Sequence, residues 1–200
     1  MKEVVNRSLH TAAVAVLGVA VWGNIAAAQR PNARPIGGFP HTAADVRFMT
    51  GMIPHHAQAV VMAGWAASHG ASDALQRLCE RIVVAQRDEI ALMQTWLKDR
   101  GEKVPEGDGH HAHDGTLMPG MLSPQQMAQL DSARGVEFDR LFLTFMIQHH
   151  EGAVTMVDAL FASEGSGQDE TVFRLASDIY ADQTTEIERM HKMLAALPNG

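Results

Sequence analysis

Two adjacent histidine pairs, His55-His56 and His149-His150, are the residues in this chain best suited to chemistry. Each pair is preceded by a methionine, Met52 and Met146, and by the same Met-Ile dipeptide. Imidazole and thioether together suit a soft ion such as Cu(I) or Ag(I), whereas zinc rarely takes thioether sulfur. Two glutamates, Glu89 and Glu186, each stand four residues before a further methionine, Met93 and Met190. The set Met52, His55, His56, Glu89, Met93, Met146, His149, His150, Glu186 and Met190 is therefore the candidate metal site. Asp45 and Asp139 open the corresponding segments and are expected to cap helices or to orient a histidine. A third tract, His110, His111 and His113 with Met118 and Met121 downstream, is a candidate auxiliary site on composition.

The elements that must position these residues are helical. Apolar residues recur with the 3.6-residue period and strand-like alternation is scarce. Helices are expected near 42–69, 73–100, 134–163 and 169–196, with a short one near 124–132 behind Ser123-Pro124. Asp73 is the expected N-cap of the second helix and Gly101 its C-terminal stop.

The run Asp45 to Met62 aligns with Asp139 to Met156 at a constant offset of 94. Ile82, Gln86, Glu89, Ile90 and Met93 align with Ile179, Gln183, Glu186, Ile187 and Met190 at an offset of 97. Such internal repetition predicts an all-α, pseudo-twofold four-helix bundle built from two αα-hairpins. The first repeat spans 42–100 and the second 123–197, and residues 101–122 connect them.

At about 100° per residue, His56 and His150 share an inner face with Met52 and Met146, while His55 and His149 flank it. Glu89 falls in the core stripe of its helix with Leu78, Ile82, Met93 and Trp96, and Glu186 does the same with Ile179 and Met190. A carboxylate in apolar surroundings needs a partner, and the inward imidazoles or a metal are the candidates.

Other classes are excluded or weakened. The 200 residues carry 16 basic and 23 acidic side chains, a formal charge of -7, with no basic stripe to attract nucleic acid. The lone cysteine, Cys79, permits no internal disulfide, and the absence of Cys-x-x-Cys-His rules out covalent c-type haem. Twelve methionines and eleven histidines stand against a single tyrosine. A Glu-x-x-His di-iron motif is missing, since Leu92 and Arg189 follow the two glutamates at that spacing. No Ser-His-Asp set or phosphate loop suggests an enzyme.

Residues 1–28 have the layout of a secretory signal peptide, with Lys2 and Arg7, an apolar run, and Ala26-Ala27-Ala28 before Gln29. Cleavage is expected there, giving an exported chain of formal charge -8 that opens with an irregular lead-in, 29–41. No further membrane segment is expected.

The Met-Ile-x-His-His-x-x-Ala-Val-x-Met repeats, the Phe-Asp-Arg-Leu-Phe-Leu run at 138–143, Met118-Pro-Gly-Met121 and the Gln-x-x-Glu-Ile-x-x-Met helices resemble one family. It is the ferritin-like domain-of-unknown-function family three hundred and five, which includes periplasmic copper-binding proteins of the CopM type. The resemblance covers about 42–197. It implies a ferritin-like four-helix fold, copper or silver bound through Met and His, and a place among exported metal-handling proteins. Leu143 replaces the methionine found at Met49, so the halves need not bind equally. Three readings stand at this point. The first is copper or silver sequestration, with a metal-delivery partner protein. The second is a dinuclear iron or manganese oxidoreductase using Glu89, Glu186 and nearby histidines. The third is a metal-free helical interaction module.

Overall fold

The computed structural model describes residues 41–105 and 117–198. The signal segment, most of the lead-in and His110, His111 and His113 lie outside them. Five helices are present: α1 (Ala43–Gly64), α2 (Asp73–Asp99), α3 (Pro124–Ser132), α4 (Gly135–Ala162) and α5 (Glu170–Ala195). No strand occurs among the described residues.

Local chemistry sets the boundaries. Thr42 and Asp45 close a capping box on α1, and Ser123 and Gln126 do so on α3, with Pro124 in its first turn. The N-cap of α2 is Ser72, whose hydroxyl accepts from Leu75 N–H, and not Asp73, which is the first helical residue. Arg100 caps the C-terminus of α2, and Gly101 follows at φ 70°. Glu102 N–H reaches Leu97 O at 2.9 Å and Gly101 N–H reaches Lys98 O at 3.1 Å, a Schellman closure that the left-handed glycine permits. α1 stops at Gly64, five residues before the expected end. Its last turn tightens through Trp65 N–H to Met62 O and Ala66 N–H to Ala63 O. Pro54 sits buried inside α1 without ending it.

α1 packs on α2, α4 on α5, and α1 on α4, which makes three edges of a bundle of two hairpins. α2 and α5 line a cleft on the fourth edge. The apolar core is split in two. Met62, Leu75, Leu78, Ile82, Phe138, Phe142, Met146 and Met190 fill one end. Phe48, Met52, Met93, Trp96, Val157, Val172 and Ile179 fill the other. In sequence, a polar break falls between the two sets on every long helix: His55-His56, Gln86 with Glu89, His149-His150, and Gln183 with Glu186.

Two aspartates clasp the hairpins together. Asp45 on α1 accepts from Gly167 N–H at 2.7 Å, in the α4–α5 turn. Asp139 on α4 accepts from Ser72 N–H at 3.2 Å with both oxygens, in the α1–α2 turn. Both carboxylates are therefore engaged with backbone amides, and Asp45 also caps its own helix.

Candidate metal centre

The polar layer at mid-bundle holds four imidazoles, all fully buried. His55 and His149 meet between α1 and α4, with ring centroids 3.9 Å apart. Each uses Nε2 on a backbone oxygen: His55 on Pro119 O at 3.0 Å and His149 on His55 O at 3.0 Å. A carbonyl only accepts, so both rings must carry their proton on Nε2.

His56 and His150 point toward the second helix of their own hairpin. Nε2 of His56 lies 2.7 Å from Glu89 Oε2, and Nε2 of His150 lies 2.8 Å from Glu186 Oε2. The second contact is a well-formed hydrogen bond; the first is equally short but bent, leaving His56 Nε2 poorly satisfied. Here too Nε2 faces an acceptor.

The consequence is the same at all four rings. Nδ1 of His55, His56, His149 and His150 is buried and has no protein partner. His69 provides the contrast. It is also buried, but its Nε2 meets Asp131 O at 2.9 Å and its Nδ1 meets the Ser68 hydroxyl at 2.9 Å. His69 is thus satisfied at both nitrogens, whereas His55, His149 and His150 each keep Nδ1 unpaired and His56 has no well-formed hydrogen bond at either nitrogen. Buried orphan polar atoms are costly, and here they recur at four matching positions of the two repeats.

Electrostatics keep two of these rings ready to ligate. Burial, and then the neighbouring His56, lowers the His55 pKa to about 3. Burial, with His55, His150 and His56 around it, holds His149 well below the ordinary histidine range. Both are neutral at physiological pH, which is the form a metal requires.

Glu89 and Glu186 are less enclosed than the helical wheel suggests. Their side chains keep 16% and 23% exposure, because the stripe they occupy opens on the α2–α5 cleft. The imidazole partners expected for them are in place.

Met52 and Met93 are fully buried in one half of the core, Met146 and Met190 in the other. Each hairpin thus supplies one methionine pair, and the two pairs belong to opposite ends of the core. Met121 is buried and Met118 half-buried. The Met118 sulfur lies 3.2 Å from where a Cβ on Gly51 would stand, beside the Met156 methyl. Cys79 is buried, and burial followed by the Asp139 charge raises its thiol to about 12, so it is an inert packing group.

Among the described residues, no three His, Cys, Asp or Glu side chains gather closely enough to hold an ion by themselves. The dinuclear iron or manganese alternative gains no support from this arrangement.

Several participants were not singled out in the sequence. The Pro119 carbonyl fixes His55, and Gln58 pins the same segment by bonding Leu122 N–H at 2.7 Å and Leu122 O at 3.1 Å. Gly120 and Gly152 touch backbone to backbone, for a Cβ on Gly152 would stand 2.0 Å from Pro119 O. The Gly pairing with Met118-Pro-Gly-Met121 was the available signal. Gln86 and Gln183 appeared only as repeat matches, yet both are buried at the level of the imidazoles.

Comparison with known proteins agrees with this architecture. The DUF305 family, a domain of unknown function, matches residues 45–194. The chain belongs to this family. A DUF305 fragment from Deinococcus radiodurans is 30% identical with a TM-score of 0.69, covering 80% of this chain and all of that one. A DUF305 protein from Streptomyces coelicolor is 28% identical with a TM-score of 0.66, covering 76% and 92%. CopM in its Cu(II)-bound form is 30% identical with a TM-score of 0.62, covering 76% and 95%; CopM is also known in Cu(I)-bound and Ag-bound forms. An uncharacterized protein of Acanthamoeba polyphaga mimivirus is 32% identical over 56 residues, 28% of this chain and 37% of that protein. Among the described residues, no helix of this DUF305 chain is long and apolar enough to cross a membrane.

Proposed function

We propose that this DUF305 protein binds a soft monovalent ion, Cu(I) or Ag(I), at the central imidazole cluster, and that it sequesters or hands on copper outside the cytoplasm. The single observation that carries the reading is the set of four buried Nδ1 atoms without partners, on rings of which three hydrogen-bond an acceptor through Nε2 and the fourth, His56, has Nε2 2.7 Å from Glu89. Ligating imidazoles characteristically donate their other N–H to a carbonyl or carboxylate, which is the arrangement found here. Met52, Met93, Met146 and Met190 supply the thioethers that select Cu(I) over harder ions. Glu89 and Glu186 act by orienting His56 and His150. The copper- and silver-bound forms of CopM support the choice of metal.

The signal-like segment 1–28 supports export, cleavage before Gln29 is the accompanying expectation, and a metal-delivery protein is the natural partner. The tract His110, His111 and His113 would then act as an auxiliary ligand set.

Titration of metal-free protein with Cu(I) against a competing chelator tests the proposal. Saturable binding that is lost in the His56→Ala, His150→Ala variant is expected. Absence of saturable binding in the parent protein defeats it and leaves the helical interaction module as the alternative.

A further inference from the structure

On the fourth edge of the bundle, α2 and α5 border a cleft of about 310 Å³. Its wall includes Glu89 and Glu186, Asp182, and the two glutamines of the polar layer, Gln86 and Gln183. The glutamine side chains belong to residues only 2% and 3% exposed. Neither amide atom of Gln86 has a protein partner, nor has the Gln183 oxygen. Buried amides left unpaired in this way are costly, so something in the cleft must meet them.

The lining chemistry narrows what that is. Three carboxylates and two amide carbonyls all accept hydrogen bonds. The donors are the Gln86 and Gln183 amide nitrogens and two exposed guanidiniums, Arg81 and Arg189, since the Thr185 hydroxyl already donates to Ala181 O at 2.8 Å. A wall rich in acceptors with an excess of negative over positive charge suits a guest that brings both O–H donors and positive charge. A small divalent ion that retains its water shell is such a guest. Six waters occupy about 180 Å³ at liquid density, which the cleft accommodates. The acidic groups do not converge tightly enough to hold a bare ion directly, so any ion there would keep its waters.

We infer that the α2–α5 cleft is an outer cation site, which holds a hydrated divalent ion through its waters by Glu89, Asp182, Glu186, Gln86 and Gln183. It is harder in character than the imidazole–thioether cluster, and only its pairing with a soft-ion site rests on the proposed function.

Mn(II) is the probe, because its free hydrated form gives an electron paramagnetic resonance signal that disappears on binding. Metal-free full-length protein should show saturable loss of that signal, reversed by excess Mg(II). Asp182→Asn should weaken binding about tenfold, and Arg189→Gln should tighten it by a similar factor. Asp158→Asn, which removes an exposed α4 carboxylate that does not line the cleft, should change nothing. The Gln86→Leu, Gln183→Leu variant should lose saturable binding while keeping its helical circular dichroism; if it does not fold, the Asp182 and Arg189 pair still decides. Equal effects of Asp182→Asn and Asp158→Asn would overturn the site in favour of a diffuse acidic surface. Nitrogen coupling in a separate low-temperature pulsed spectrum of the bound ion would overturn it by showing direct imidazole ligation. Repeating the titration with Ag(I) present separates the two readings, since failure of Ag(I) to bind leaves the Mn(II) result intact.

Discussion

Histidines adjacent in sequence occupy different environments here. His55 and His149 lie against one another at a tilt between α1 and α4, bonded only to backbone carbonyls. His56 and His150 turn the opposite way and meet carboxylates that reach a solvent cleft. The first pair is tied to the fold; the second is tied to charge. A single His-His dipeptide therefore sets one ring against the backbone and the next against a carboxylate.

Substitutions should separate these roles. The largest stability loss is expected from His149→Ala, which removes a fully buried ring and its bond to His55 O. About 3 kcal/mol should disappear from the urea-derived unfolding free energy. His150→Ala should cost less, because Glu186 can turn to water, and equal losses would erase the contrast. For metal binding the order reverses in kind. The His56→Ala, His150→Ala variant should lose about 100-fold or more in Cu(I) affinity, measured by chelator competition, while the protein stays folded.

Gly152→Ala tests the segment that holds His55. Its new methyl has no room against Pro119 O, and about 2 kcal/mol of destabilisation is expected, with faster proteolysis near Met118. A fully stable variant would show that the segment yields easily.

Acid should discriminate the pairs next. His55 and His149 are held below the unfolded value of about 6.5, so the unfolded chain binds more protons as pH falls beneath it. Their contribution is complete above that pH and declines as pH drops toward about 3, where His55 itself titrates. Each buried ring adds a slope of about 1.4 kcal/mol per pH unit within that window. Chemical denaturation of the metal-free protein at successive pH values measures it, and His149→Phe should remove one such share. The smallest effect is reserved for Glu186→Gln, which keeps shape but removes charge. A loss of up to about tenfold in Cu(I) affinity with unchanged stability is expected.

Much of this contrast was legible in the sequence. The hydrophobic period placed the four long helices, Ser123-Pro124 marked the short one, and the wheel turned the two histidines of each pair to different faces without showing that all four rings are fully buried. The exposure of Glu89 and Glu186 was not legible, because a wheel describes one helix and cannot show that α2 and α5 leave a cleft. The Pro119 carbonyl was invisible for a related reason: a backbone acceptor in a connector has no signature of its own. Ser72 and Asp73 are both good capping residues, and only the reach of one hydroxyl to Leu75 N–H decided between them.

The two aspartate clasps have a consequence for how the chain acquires its shape. Ser72 waits for a carboxylate 67 residues further on, and Asp45 waits for an amide 122 residues away. Neither corner can be finished by the hairpin that contains it, so a ribosome releasing the first half alone releases an unlatched structure. Closure at these distant points is slow to find compared with helix formation, so the two corners are expected to latch after the helices that carry them.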